Sequence, residues 1–269
     1  MTDFAPGDAI LPAERAGVMR LLKMFGAGEL RVHAPPAGTL APAFAIKAAL
    51  EVDEVLSASQ LRRYFGARDE DLALYPSVPA LLEPVHMRQL QVQTRFYALK
   101  EDTLARAPMG LAHLAGGGEG RLALGVPPVD WKVSSGPTHF HDPDAALRLA
   151  SGRTLAVEYD RGTYTKGKVL KKLDAFEEAG FAGALWLVPP ADTNYGRGVK
   201  PGRAQNLREL IMDARLDARR PFPVSILTVQ WWGAQDVIFT RRGHAVRPVP
   251  PMVQRWAARR AAREAAGET

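Results

Sequence analysis

The chain's sequence predicts a mixed α/β protein in two main parts, and three observations carry that prediction. Three short helical stretches run into an alternating strand over residues 43–102; strands and helices alternate from Arg121 onward; and a glycine-rich break lies between them near 102–120. The predicted divisions are an N-terminal helix and linker (1–42), a helical unit ending in a strand (43–102), an αβ domain (103–250) and a basic tail (251–269).

Size and composition set the bounds. At 269 residues, with 46% hydrophobic and 24% charged side chains, the chain is long and apolar enough for a large core. It has no cysteine, which excludes disulfides, thiolate metal sites and cysteine nucleophiles. No signal-like start and no run of about 18 apolar residues is present, so the expectation is a cytoplasmic protein without a membrane span. Net charge is +6, of which the segment from Arg241 onward carries +5, with seven arginines against Glu264 and Glu268. A cationic surface attracts phosphate backbones, so DNA is the expected partner; a solvated basic helix is the alternative.

Taken in order, Val18, Leu21, Leu22 and Phe25 have helical spacing within 12–26, and the Pro- and Gly-rich stretch 33–42 reads as a linker. Ala43 to Val52 is a helix. Ser57, with Ser59 as rival, caps a second helix over Ala58 to Phe65 that Gly66 ends. A third helical stretch lies within 69–90, interrupted by Pro76, Pro79 and Pro84, and 89–102 alternates as a strand. Three short helices and a strand hairpin make a winged helix-turn-helix pattern, a unit that sets one helix in the major groove. Its candidate DNA contacts are Ser57, Gln60, Arg62, Arg63, Arg68, Arg88, Arg95 and Lys100. A winged helix is compatible with a homodimer, although no clear seam is visible in the sequence.

Residues 103–115 read as a helix, Gly116–Gly120 as a flexible turn and 121–126 as a strand. The GGGEG run lacks the Gly-Lys-Ser/Thr ending of a phosphate loop. A β-rich stretch over 138–149, a strand over 154–160, a helix from Lys166 to Ala179 and an apolar strand over 182–190 follow. A basic Gly-rich loop (192–204), a helix (203–219), strands at 223–229 and 236–240 and a basic helix from Met252 complete the chain.

The segment 141–176 carries the chemistry. The strand 154–160 turns from apolar to acidic at Glu158-Tyr159-Asp160, and alternation sets Glu158 and Asp160 on one face, with Asp144 across a hairpin. Converging carboxylates suit a hard divalent cation, which can activate water and polarise a phosphate. Lys168 and Lys172 are i,i+4 neighbours on the next helix. The alternative is that Asp144 is a turn residue and the acids pair with Arg161 and the lysines at the surface.

His139 and His141 flank Phe140 and read as a polar strand, while His113 and His244 are isolated. Ser134-Ser135 has no hydrolase context. Trp231 and Trp232 would point to opposite faces of a strand, one into the core.

Pro143-Asp144 followed by Glu158-x-Asp160, with the order helix, three strands, helix, strand, resembles the PD-(D/E)XK nuclease pattern and its αβββαβ core. The run Leu155 to Thr163 with Lys172-Leu173-x-x-Phe176 resembles the plasmid replication-relaxation family over residues 43–240. Members of that family are described by an N-terminal winged helix and a nuclease-like domain. The resemblance implies that Asp144, Glu158 and Asp160 hold Mg2+ or Mn2+, and that Arg161 joins the DNA contacts. It implies nicking or cleavage of plasmid or mobile-element DNA. Asp160 stands where the pattern has lysine. Either Lys172 or Lys168 supplies the amine from the helix, giving an endodeoxyribonuclease, or the domain is a non-catalytic replication or transcription accessory. A protein-interaction module is a third alternative.

Overall fold

The computed structural model describes residues 42–84, 90–134, 142–190, 206–211, 222–233, 236–240 and 245–246, with Val18, Arg20 and Leu21. The expected linker over 33–42 (all but Pro42, which begins a helix), the loop 192–204, the basic tail, Arg88, His139, His141 and His244 lie outside them, as does most of the expected helix 12–26.

The protein is mixed α/β. Helix α1 (Pro42–Asp53), strand β1 (Leu56–Ser57), α2 (Ala58–Phe65), α3 (Asp69–Leu72), β2 (Ser77–Leu82) and β3 (Leu90–Tyr97) come first. Next are α4 (Glu101–Leu104), α5 (Pro108–Leu124), β4 (Trp131–Val133), β5 (Ala145–Arg148), β6 (Thr154–Tyr159), α6 (Lys166–Glu178) and β7 (Gly183–Val188). A helical segment at 206–211 (α7) precedes β8 (Val224–Thr228), β9 (Val237–Thr240) and β10 (Ala245–Val246). No helix among the described residues is long and apolar enough to cross a membrane.

Local rules explain α2. Ser57 accepts the Gln60 amide at 3.2 Å while Gln60 Oε1 accepts the Ser57 amide at 2.8 Å, a reciprocal capping box. Gly66, at φ 65°, closes the helix in the left-handed conformation.

The third expected helix is only one turn, Asp69–Leu72; residues 77–82 are strand instead. Pro79 breaks a helix but is tolerated here because, among the described residues, β2 is bonded on one side only, to β3.

A larger departure is α5. It runs straight through the expected glycine turn and the expected strand 121–126. Helical glycine costs roughly 1 kcal/mol relative to alanine, and here close packing offsets that cost. A Cβ on Gly116 would lie 2.6 Å from the Tyr159 ring, one on Gly118 2.8 Å from Leu56, and one on Gly120 2.4 Å from Leu187. The stripe therefore lets α5 sit against strands from both sheets. Gly116→Ala should destabilise the fold despite its better helix propensity, by about 1–3 kcal/mol of overpacking. A urea midpoint at or above wild type would refute this close-packing account.

The first sheet has the order β1-β3-β9-β10, with β2 also on β3; all its pairs are antiparallel. The strand at 237–240, expected in the αβ domain, thus completes the sheet of the N-terminal unit, so the boundary at 102 does not separate two independent sheets. The second sheet has the order β4-β5-β6-β7-β8, antiparallel up to β6 and parallel from β6 to β8.

Helix α5 lies between the sheets: Leu111, Ala115 and Leu124 share one core with Val92 and Phe96 of β3 and with Val157, Tyr159 and Leu187. On the other face of the second sheet, Val169 and Phe176 of α6 and Leu207 and Ile211 cover Ala156, Trp186 and Val188. Covered on both faces, β6 has no exposed residue. Trp231 and Trp232, outside any strand, are both buried and meet edge to face at 5.1 Å.

Candidate metal centre

The site forms where β5 begins and β6 ends. Pairing of Ala145 with Val157 sets Asp144 beside the end of β6, and Asp144 Oδ2 accepts the Tyr159 amide at 2.7 Å. That oxygen also lies 2.7 Å from His113 Nε2, which reaches over from α5. Glu158, fully buried on β6, points to the side of the sheet covered by α6. There its carboxylate lies 2.7 and 2.8 Å from Lys172 Nζ and accepts the Tyr164 hydroxyl at 2.6 Å.

One ligand atom each from His113, Asp144 and Glu158 lies within 4.8 Å of the others. Ligands about 2.1 Å from a shared ion can be at most about 4.2 Å apart, so small side-chain adjustments would let all three bind one cation. The donors are an imidazole nitrogen and carboxylate oxygens. Carboxylate oxygen suits Mg2+ or Mn2+, and imidazole suits the later transition ions, so the donor set is mixed.

Asp160 does not join this group. It follows the last residue of β6, where its amide bonds Leu187 O at 2.8 Å and its Oδ1 accepts the Gly162 and Thr163 amides at 2.7 and 3.1 Å. It shapes the turn into α6, because the strand alternation that aligned it with Glu158 ends at Tyr159. His113 takes the place the sequence suggested for Asp160. No local pattern marks His113: it lies on a helix 31 residues before Asp144, and only packing of α5 on β6 brings the two together. Tyr164 lay within the acidic-to-basic segment but has no motif of its own.

Electrostatics agree with a strained cluster of acids. Burial, with the Asp144 charge adding, pushes the Glu158 carboxyl above its ordinary range, although Lys172 and Tyr164 oppose it. Burial works against the His113 imidazolium, but Asp144 beside it outweighs that and shifts the balance upward. The Tyr164 phenol is raised by burial and by Glu158.

His113 and Asp144 of this group line a cavity of about 470 Å³ together with Arg106, Arg161, Lys168 and Lys172, whereas Glu158 is fully buried and is not among its lining residues. Arg161 donates to Glu83 O at 2.8 Å and Arg106 pairs with Glu54 at 2.9 Å. An acidic floor under a cationic wall suits an anion that also binds a metal ion.

The expected winged-helix contacts fare differently. Ser57 and Gln60 are fully buried and Arg63 nearly so. Gln60 Nε2 donates to Ala115 O and Glu119, Arg63 donates to Glu119 at 2.6 Å and to Gln230 O, and Tyr64 donates to Glu119 at 2.9 Å. These three side chains clamp α2 to α5 and cannot meet a duplex. Burial makes the Glu119 carboxyl harder to ionise, against the pull of Arg63, Tyr64 and Gln60.

The short helix α3, which stands where the third helix of the helix-turn-helix unit was expected, carries Asp69, Glu70 and Asp71. Arg62 pairs with Asp69, and Arg68 pairs with Glu70 and Asp71 at 2.9 and 3.5 Å. Their charge is met locally. Tested against a DNA duplex, Arg62→Ala and Arg68→Ala are expected to change any binding less than twofold and to leave its salt dependence unaltered; a salt slope reduced by about one per arginine would restore them as phosphate contacts. Arg95, which donates to Ser77 Oγ at 3.0 Å, and Lys100 remain exposed.

No protein-family model, curated protein or solved structure matches this chain.

Proposed function

We propose that the protein is a divalent-metal-dependent nuclease that nicks or cleaves DNA. The observation that carries this reading is the convergence of His113, Asp144 and Glu158 beside the Lys172 amine, with His113, Asp144 and Lys172 also lining a cation-walled cavity. The element order α5, β4, β5, β6, α6, β7 supports it, being the αβββαβ order of the PD-(D/E)XK resemblance. Asp160 stands where the pattern has its lysine, and α6 brings two amines instead, Lys172 against Glu158 and Lys168 on the cavity wall. Plasmid or mobile-element DNA is the substrate that the replication-relaxation resemblance suggests.

In this reading His113, Asp144 and Glu158 would hold a divalent cation, which would supply polarisation of the scissile phosphate and easier ionisation of the attacking water. Asp144, held by the Tyr159 amide, and Glu158, held by Lys172, would need only small side-chain adjustments to meet such an ion. Arg161 and Lys168 draw the phosphate backbone to the cavity wall. The water's oxygen bonds to phosphorus, the bond to the leaving oxygen breaks, and that oxygen departs with a proton. Arg95 and Lys100 offer further backbone contacts on the first sheet.

One observation favours a second reading, a DNA-binding accessory without catalysis: Glu158 is wholly buried and already engaged by Lys172 and Tyr164. Incubation with supercoiled, linear and single-stranded DNA, in Mn2+, Mg2+ or EDTA, separates the two. Cleavage with metal and none in EDTA supports the nuclease. Salt-sensitive binding without cleavage in any ion supports the accessory.

A further inference from the structure

We propose that the cavity seats one unpaired nucleotide, its base lying flat on the glycine-opened face of α5 and its phosphate turned to the cations, so that the DNA it takes is a single strand or an opened strand end rather than a closed duplex. The proposal rests on the reading of DNA as what this cavity meets.

Four residues of α5 line the cavity: Gly110, His113, Leu114 and Gly117. Their spacing of i, i+3, i+4 and i+7 sets them on one face of the helix. Packing does not account for Gly117. It is buried, yet a Cβ on it would meet no described atom within 4 Å outside its own stretch of helix. A Cβ on Gly110 would make one ordinary contact, 3.7 Å from Arg106 Cβ. Gly116, Gly118 and Gly120 differ, because Tyr159, Leu56 and Leu187 press directly on them. Glycine inside a helix is unfavourable relative to alanine, and at Gly117 no neighbouring side chain offsets that cost. Open space against a buried backbone is what the close approach of a ligand requires.

The lining has two chemistries. Met109, Leu114 and Val133 are half-buried against the core and line the cavity with apolar surface. Such surface suits the flat face of any base, since apolar side chains can sandwich an unstacked base. Arg106, Arg161, Lys168 and Lys172 line the same cavity against Asp142 and Asp144, an excess of positive charge that favours an anion. A ligand that is flat and apolar at one end and anionic at the other matches both, and a nucleotide is such a ligand. The volume, about 470 Å³, falls within the roughly 300–1,000 Å³ of pockets that enclose one small molecule. A duplex, whose major groove alone is about 12 Å wide, cannot bring a paired base into that space. His113 stands between the two glycines, so a base seated there brings its own phosphate to the metal-ligand group.

Anisotropy of the full chain in EDTA tests this with three fluorescent probes. They are a short single-stranded oligodeoxynucleotide, the same strand with abasic residues in place of its nucleosides, and the strand annealed to its complement. Wild type should bind the strand about tenfold more tightly than the abasic strand, the order of one base's contact. Gly117→Leu, which fills the open face, should lower the strand to the abasic affinity and keep the abasic strand and the duplex within about twofold of wild type. If Gly117→Leu does not fold, Gly110→Leu, in the first turn of α5 on the same face, decides by the same comparison. Equal wild-type affinity for the strand and its abasic counterpart overturns the proposal. So does a folded variant that binds all three probes as wild type does, or that weakens all three alike. A protein that discriminates in this way but cuts no DNA in Mn2+ or Mg2+ loses the nuclease reading alone. One that cuts DNA without discriminating loses the base seat alone, and one that binds none of the probes loses both.

Discussion

Asp144→Asn and Glu158→Gln are expected to lower metal-dependent DNA cleavage by at least about a thousandfold, equivalent to about 4 kcal/mol of transition-state stabilisation. Each substitution keeps the side chain's size and removes a negative charge from a site whose ligand atoms lie within 4.8 Å of one another. Asparagine can still accept the Tyr159 amide, so the Asp144 variant should stay folded. Glutamine at 158 leaves Lys172 buried beside a neutral amide, and some loss of stability should accompany its loss of activity. Cleavage of supercoiled plasmid in Mn2+ measures the first effect, and urea unfolding measures the second. Oligonucleotide binding in EDTA should survive in both, because the wall cations are untouched. Cleavage at the wild-type rate by either folded variant would sink the metal-centre assignment.

Glu119→Leu should destabilise the protein by about 3–5 kcal/mol, the cost typical of removing one partner from a buried ion pair. Glu119 receives hydrogen bonds from Gln60, Arg63 and Tyr64, and its loss leaves a guanidinium whose side chain is only 8% exposed without a counter-charge. The double variant Glu119→Leu with Arg63→Met should recover much of that loss, since a well-packed apolar pair removes the uncompensated charge. Denaturant midpoints of the two single variants and the double complete the cycle. A cost below about 1 kcal/mol for Glu119→Leu would mean that water reaches Arg63 and that the clamp between α2 and α5 is loose.

The same residues show where sequence reading stopped. Arg63 and Gln60 looked like DNA contacts because they are polar and adjacent to basic neighbours on a capped helix. Their burial is set by Glu119, more than 50 residues away, inside a segment that local propensity assigned to a turn. The glycines of α5 are poor helix formers in isolation. Only contact with Tyr159, Leu56 and Leu187 makes the absence of side chains favourable there. Asp160 was aligned with Glu158 by strand alternation, and alternation fails where the strand ends.

What the sequence by itself determined is local: the capping box at Ser57, the apolar run of β6 leading to Glu158, the lysine-bearing helix α6 and the buried strand β7. These follow from hydrogen bonding and apolar periodicity over a few residues, which a single segment contains in full. The tertiary structure alone decided that His113 rather than Asp160 meets Asp144 and Glu158, that Lys172 serves Glu158, and that residues 237–240 pair with β3. Each of those outcomes depends on which distant surfaces bury one another, and that free energy belongs to the pair of surfaces rather than to either stretch of chain.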